Sequence, residues 1–228
     1  MGSPRPSDRA LTAVISASVV RPAGEPPARR LCEAARAVLG VDGVSMSMLP
    51  RATGLRVVLA STGQVSDDLE AVEDVLGLGP AHVAAAGSDV LLEPGAGAAP
   101  WTSLVAEFLH RSRPPWVAAV PLRDDSNVLG VLLLHAEHPA AALWSPRWLR
   151  EIAGAVGLLL AMQPPTWLEA TLDGRHAANR AIGMLMTTQR TDASTALAIL
   201  RARAFANGAR LDTTAWDVIR NGGRDDHG

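Results

Sequence analysis

Arginine side chains recur through the last quarter of the chain, among segments whose apolar residues have helical spacing. All 21 basic residues of this 228-residue protein are arginine. A guanidinium makes planar, bidentate contacts to phosphate and guanine that an ammonium group cannot make, and arginine and asparagine also suit the unpaired bases of RNA loops. The formal net charge of −2 requires any such site to be a local patch. Lysine-free composition is also typical of a GC-rich genome, so composition alone does not select this chemistry.

Other kinds of site chemistry are weakly represented. Cys32 is the only cysteine, which excludes an intramolecular disulfide and a cysteine-based metal cluster. His135 and His138 lie on a predicted strand, where their side chains would point to opposite faces rather than to one metal ion. The sequence has no nucleophile elbow, Walker loop or dinucleotide fingerprint. We therefore predict no catalytic residues, no metal and no cofactor.

Three short helices are predicted to carry the C-terminal arginines. In RHAANRAIGMLM, small residues alternate with large apolar ones, which lets neighbouring helices approach closely. The second helix is predicted to begin after Asp192, whose carboxylate can cap backbone amides, and to end at Asn207-Gly208. The third is predicted to begin near Asp212, as a second N-cap. It should bury Trp216, because so small a module needs a large apolar residue in its core.

This order of small and apolar residues resembles the ANTAR domain, a three-helix RNA-binding module of bacterial antitermination regulators. The matching positions are Arg175, Ala181, Gly183, Leu185, Met186, Ala196, Leu200, Arg201, Asn207, Arg210, Leu211 and Ala215. The resemblance implies a dimer that recognises paired hairpin loops of a transcript, one of which competes with a terminator stem. The candidate RNA contacts are Arg175, Arg180, Arg190, Arg201, Arg203, Asn207 and Arg210. The alternative is that these are solvated surface charges.

The first of these helices also carries a candidate dimer seam. Its members alternate by four and three, as in a coiled coil, and a buried Asn can fix the register of a dimer. They are Leu168, Leu172, Arg175, Asn179, Ile182 and Met186. Many ANTAR sequences have lysine where this chain has Ile182, which favours packing over phosphate contact at that position. We predict a homodimer; the alternative is that the stripe is merely exposed and polar.

Hairpins flanked by helices are predicted upstream. GVSMSMLP with LRVVLAST, and WVAAVPL with VLGVLLLHAE, are typical of paired antiparallel strands. This order indicates an α+β fold with an antiparallel sheet flanked by helices, followed by the all-α three-helix bundle. The pattern resembles a GAF sensor domain at Gly79-Pro80, Pro121-Leu122 and Leu129-Gly130. Any ligand pocket would be apolar, and its candidate lining residues are Val83, Trp116, Ala118 and Val131.

The chain is therefore predicted to have five parts. A flexible N-terminal segment (1–27) precedes the GAF-like sensor domain (28–163), and its apolar run from Leu11 to Val20 is expected to form one short helix or strand that packs on that domain. A Pro-Pro linker (164–166) then separates the sensor from the ANTAR-like RNA-binding domain (167–222) and a tail (223–228). Because a proline pair breaks a helix, the last sensor helix is not expected to run straight into the output module.

Together these features predict a cytoplasmic, signal-responsive regulator of transcription antitermination. Its partners would be nascent RNA hairpins and an unknown small-molecule ligand or signalling protein, with no membrane. One alternative is a protein-interaction or dimerisation regulator that does not bind RNA. A nucleotide-hydrolysing enzyme is the other, and the chain lacks the acid, base and metal residues that this activity would need.

Overall fold

The computed structural model describes residues 6–20, 24–48, 56–92, 115–124, 127–140, 144–163 and 176–222. The strands are β1 (Gly43–Met48), β2 (Val57–Ser61), β3 (Val90–Leu92), β4 (Trp116–Asp124) and β5 (Asn127–Ala136). They form an antiparallel sheet in the order β2-β1-β5-β4-β3. This arrangement confirms the predicted α+β fold and both predicted hairpins.

Helices cover both faces of the sheet. The helices of this part are α1 (Pro6–Val19), α2 (Pro27–Leu39), α3 (Gln64–Leu76), α4 (Pro80–Ala85) and α5 (Pro146–Ala161). Successive strand residues point to opposite faces, so Leu132 and Leu134 join a core with α1, α2 and α5. Val131 and Leu133 join a second core with α3 and α4.

The N-terminal segment contains the short element predicted over its apolar run, and this element is a helix rather than a strand: α1 spans Pro6–Val19. Ala10 and Val14 are fully buried in the core that α1 shares with α2 and α5, as the prediction of packing on the same domain requires. The segment is not flexible over this helix, because its apolar residues, at helical spacing, bury a continuous stripe.

The C-terminal helices form the predicted bundle. They are α6 (His176–Gln189), α7 (Ala193–Ala206) and α8 (Leu211–Arg220). Small residues at the helix contacts, such as Ala181, Ala196 and Ala215, are fully buried together with Leu185 and Leu200. Their small size allows close helix approach, which explains the alternation of small and large residues in the sequence.

The helix starts of the bundle follow the prediction in one of two cases. Asp192 is the N-cap of α7, and its Oδ1 accepts a hydrogen bond of 2.7 Å from the Thr195 amide. This bond lowers the pKa of the exposed Asp192 carboxyl. Asp212 is not an N-cap: Arg210 holds that position and α8 begins at Leu211.

One residue of the sensor domain belongs to the core of the bundle. Val75, in the last turn of α3, is buried among the apolar side chains of α6, α7 and α8. The helix therefore packs on the sheet through Leu69 and Val72 and on the bundle through Val75. The Pro-Pro linker and the tail lie outside the described residues, so those parts of the predicted division stay predictions.

Candidate nucleic-acid interface

Four of the predicted RNA contacts lie on the outer surface of the bundle. Arg180 is exposed on α6, and Arg190 is exposed just after this helix, with a φ of 52°. Asn207 and Arg210 are exposed in the connection between α7 and α8. These polar side chains lie outside the apolar core of the bundle. The bundle therefore presents guanidinium and amide groups to solvent, as a nucleic-acid surface requires.

The remaining three predicted contacts differ from these four. Arg203 is half-buried on α7, and Arg175 lies outside the described residues. Arg201 is half-buried and faces the sensor domain, where its Nε donates a hydrogen bond of 2.9 Å to the main-chain oxygen of Asp74. In this arrangement Arg201 is an interdomain contact, which the spacing of residues within α7 does not reveal.

Arg201 lies against the carboxyl end of α3. The last carbonyl groups of a helix have no partner within the helix and carry the negative end of its dipole. Gly77 follows α3 in the left-handed conformation, with a φ of 67°, and a Cβ there would lie 2.5 Å from Nη1 of Arg201. Glycine at this position therefore gives the chain its turn and also leaves room for the guanidinium.

A small, partly open cleft separates α3 from the start of α8. Its sensor wall contains an acidic stripe, which we define as Asp67, Glu70 and Asp74. The bundle wall contributes Arg210, Leu211 and Asp212, and Val58 and Ala71 complete the lining. Arg210 and Asp212 therefore lie across the domain boundary from this stripe, in which Glu70 is buried.

A buried ionic network lies under this stripe. The guanidinium of Arg56, whose side chain is 1% exposed, lies 2.5 Å from Oε2 of Glu70, 3.5 Å from Oδ1 of Asp74 and 4.0 Å from Oε2 of Glu73. Burial opposes the charged form of Arg56, but these three carboxylates raise its pKa above its usual value. Ser45 donates a hydrogen bond of 2.6 Å to Glu70 and thereby ties the network to β1.

Glu73 and His82 titrate unusually in this environment. Burial raises the pKa of Glu73 to about 8, against the opposing effect of Arg56. Burial, with the positive charge of Arg56, lowers the pKa of His82 to about 4. Oε2 of Glu73 lies 3.3 Å from Nδ1 of His82 and accepts a hydrogen bond of 2.9 Å from the Ala81 amide. At neutral pH a protonated Glu73 leaves Glu70 and Asp74 to balance the two guanidiniums of Arg56 and Arg201.

The prediction that four residues line one ligand pocket is wrong, because they do not lie together. Trp116 and Ala118 pack on the face of the sheet that carries α1, α2 and α5, whereas Val131 is buried on the opposite face. Val83 is 43% exposed on α4. The alternation of strand residues explains this separation, because even and odd positions of paired strands point to different faces.

Two aromatic side chains of the bundle are exposed. The prediction that Trp216 fills the core is wrong, because its side chain is 54% exposed, as is that of Phe205. Ala215 and Val218, on the other side of α8, pack in the core instead. Alanine and leucine side chains from three closely packed helices fill the small interior, so it has no room for an indole.

The candidate dimer seam is split between two environments. Asn179 is exposed and Met186 is 36% exposed, but Ile182 is buried in the core of its own bundle. The packing role predicted for Ile182 in place of lysine is thus confirmed. Leu168, Leu172 and Arg175 lie outside the described residues, so the seam stays a prediction.

Buried polar residues of the sensor domain have structural partners. His135 is buried on β5, and its Nε2 lies 3.1 Å from Oγ of Ser66. Burial raises the pKa of the Cys32 thiol.

In the part of the chain that the structure describes, no group of three or more histidine, cysteine or acidic residues could hold a metal ion. Over the same ranges, every helix is too short or too polar to cross a lipid bilayer.

Comparisons with known proteins agree with this two-part architecture. A family model described as GAF domain matches residues 25–163, and one described as ANTAR domain matches residues 167–219. A search of curated proteins finds no match.

Solved GAF domains are similar in structure. The GAF domain of a phosphoenolpyruvate-protein phosphotransferase from Acinetobacter has 14% identity and a TM-score of 0.45, covering 70% of this chain and 95% of that one. The corresponding domain from Coxiella burnetii has 15% identity and a TM-score of 0.46, with coverages of 68% and 92%. The A. aeolicus nlh2 GAF domain has 11% identity and a TM-score of 0.47, with coverages of 70% and 98%.

Proposed function

Because the chain belongs to the GAF domain family and carries an ANTAR domain after it, we propose that it is a signal-responsive regulator of transcription antitermination. Both domains are regulatory, and the ANTAR domain is the RNA-binding module. In this proposal the protein is cytoplasmic and is not an enzyme. Its GAF domain receives a small-molecule ligand or a signalling protein, and its ANTAR domain binds hairpins of a nascent transcript. A bound hairpin cannot pair into a terminator stem, so transcription continues.

The exposed arginine surface of the bundle is the observation that carries this proposal. Arg180, Arg190 and Arg210 are exposed on the bundle outside its apolar core, and the exposed Asn207 lies three positions before Arg210. Guanidinium groups contact phosphates, and amide groups hydrogen-bond to the edges of unpaired bases. RNA binding by such a local patch on a chain of net charge −2 should weaken steeply as salt rises.

The exposed aromatic residues extend this surface. Trp216 and Phe205 lie on α8 and α7, the two helices that the Asn207–Arg210 connection joins. Aromatic side chains stack on unpaired bases, and such stacking contributes about 1–3 kcal/mol per base. We assign Trp216 to base stacking, because burial of its neighbours Ala215 and Val218 already anchors α8 to the bundle.

A dimer would compensate for the small size of each surface. One bundle offers a few exposed arginines, so a single hairpin contact should be weak. Two bundles on one RNA with paired hairpins convert the second contact into an intramolecular step. We therefore propose a homodimer that binds both hairpins together.

A binding assay with paired hairpins tests the proposal. We expect the double variant Asn207→Ala/Arg210→Ala to lose at least tenfold in affinity for a labelled two-hairpin RNA at low salt. Arg147→Ala is the matched control, because Arg147 is an exposed arginine on α5 of the sensor domain. If neither the wild-type protein nor a covalently enforced dimer binds the RNA, the protein-interaction alternative replaces this proposal, with Phe205 and Trp216 as the contact residues.

A further inference from the structure

We propose that α3 is an acidic surrogate for RNA, which occupies part of the nucleic-acid surface of the bundle. The GAF domain and RNA would then compete for Arg201 and Arg210. This inference rests on the proposed RNA-binding function and adds a mechanism by which the sensor restrains it.

The charge of α3 suits such a role. Its sequence, QVSDDLEAVEDVL, contains five carboxylates and no basic residue. The acidic stripe of Asp67, Glu70 and Asp74 has helical spacing and lines the cleft opposite Arg210. Within the stripe, Glu70 is buried against Arg56 and Ser45, and Asp67 accepts a hydrogen bond from Ser61. Asp74 is the member that lies beside an arginine of the bundle, so the negative charge that meets this surface is concentrated at the carboxyl end of α3.

The end of the helix provides a further negative site. Arg201 donates to the main-chain oxygen of Asp74, at the terminus where the helix dipole is negative. Desolvation by burial lowers the pKa of Arg201, and the charge of Asp74 opposes this effect. The guanidinium is thus held by a carbonyl and a nearby carboxylate, which replace the phosphate and base contacts proposed for it.

An apolar anchor fixes the two parts together. Val75 is 3% exposed and belongs to the core of the bundle, next in sequence to the residue that binds Arg201. While Val75 stays in this core, α3 covers Arg201 and faces Arg210. RNA can reach both arginines at once only after α3 has moved away.

The other side of the same helix faces the sheet. Leu69 and Val72 share an apolar core with residues of β4 and β5, and Glu70 and Asp74 hold the buried Arg56. A change in the GAF domain that shifts α3 against the sheet would therefore also shift the carboxylates that face the bundle. One helix couples the sensor to the accessibility of the RNA surface.

A bulky side chain placed in the cleft by substitution of Ala71 tests this inference in the full-length protein. Ala71 is half-buried and lines the cleft without belonging to either apolar core. We expect Ala71→Trp to separate α3 from the bundle, to increase the radius of gyration in small-angle X-ray scattering, and to tighten binding of the two-hairpin RNA about tenfold. Gln64→Trp is the control, because Gln64 is exposed in the first turn of the same helix, and it should leave both values unchanged.

Two further measurements separate the outcomes. If Ala71→Trp fails to fold or to open the cleft, Val75→Arg places a charge in the bundle core and forces α3 out, with circular dichroism to verify the helices. Wild-type RNA binding that does not tighten in an opened variant overturns the competition and leaves the proposed function intact. Absence of RNA binding in both the wild-type protein and an opened variant overturns both.

Discussion

Arg201 of the ANTAR domain caps the final turn of a helix in the GAF domain, through a 2.9 Å hydrogen bond from its Nε to the main-chain oxygen of Asp74. Helix carbonyl groups at this end otherwise lack a partner in the helix. A cap supplied by a different domain makes the stability of α3 depend on the presence of the bundle.

Loss of this cap should destabilise the protein moderately. Because a hydrogen bond from a charged donor to a partly buried carbonyl contributes about 1–2 kcal/mol, we expect Arg201→Ala to lower the free energy of unfolding by that amount in urea denaturation. Arg180→Ala removes an exposed arginine of the same bundle and should change stability by less than about 0.5 kcal/mol. Equal effects of the two substitutions would contradict a structural role for Arg201.

Gly77 should tolerate no side chain. Its φ of 67° costs any other residue about 1–2 kcal/mol, and a Cβ would also displace the Arg201 guanidinium. We expect Gly77→Ala to lower the free energy of unfolding by about 2 kcal/mol, measured by urea denaturation. The matched substitution Gly183→Ala, in α6 where a Cβ meets nothing within 4 Å, should instead raise stability by about 0.5–1 kcal/mol. A neutral Gly77→Ala would show that Arg201 moves aside without cost.

The apolar pattern of α3 shows which part of the packing of a helix the sequence predicts. Spacing of Leu69, Val72, Val75 and Leu76 predicts one buried face for this helix; the first three are buried and Leu76 is half-buried. The structure divides them between two cores, because the helix lies in the angle between the sheet and the bundle. Periodicity defines the direction of a side chain on its helix but not the element that it meets.

The candidate RNA surface illustrates the same limit. Residue types and the ANTAR resemblance predict RNA contacts at Arg180, Asn207 and Arg210, and all three residues are exposed, as such contacts require. They could not separate these from Arg201, because its partner lies 127 positions away in the chain. The prediction that Trp216 fills the core of the bundle is wrong for a related reason. Composition does not reveal how much of this small core the alanine and leucine side chains already fill.

Arg56 should be essential for folding. It is 3% exposed and faces three carboxylates. Removal of one partner from a buried ionic network leaves uncompensated charge and costs about 3–5 kcal/mol. We expect Arg56→Leu to lower the free energy of unfolding by this amount in a denaturant titration. The double variant Arg56→Leu/Glu70→Gln should recover part of the loss, and a strictly additive double variant would contradict the proposed coupling.

Stability should fall as pH rises from 6.5 to 8. Folded Glu73 has a pKa of about 8, above the ordinary 4.5, so the folded protein holds this proton across that window while the unfolded chain has lost it. His82 acts in the opposite direction, but only between its folded pKa of about 4 and its ordinary 6.5. Above pH 6.5, therefore, the titration of Glu73, not that of His82, lowers the free energy of unfolding as pH rises.

The variant Glu73→Gln isolates this effect. Glutamine keeps the shape of the side chain and does not titrate, so the decrease in unfolding free energy between pH 6.5 and 8 should disappear. Denaturant titrations at several pH values measure the two profiles. Parallel profiles for the wild-type protein and the variant would show that Glu73 is already ionised at neutral pH in the folded state.

Substitution of Trp216, whose indole is 54% exposed, distinguishes a role of this residue in RNA binding from a role in packing the bundle. If the indole stacks on an unpaired base, Trp216→Ala should lower affinity for the two-hairpin RNA about tenfold, as loss of one stacking contact predicts. Stability should change by no more than about 0.5 kcal/mol, as expected for a surface substitution. Trp216→Phe, which keeps an aromatic face, should retain most of the affinity, and Leu158→Ala, at an exposed apolar position of α5 in the sensor domain, should retain all of it. A large loss of stability with unchanged RNA affinity would return Trp216 to a structural role and remove the stacking contact from the proposed surface.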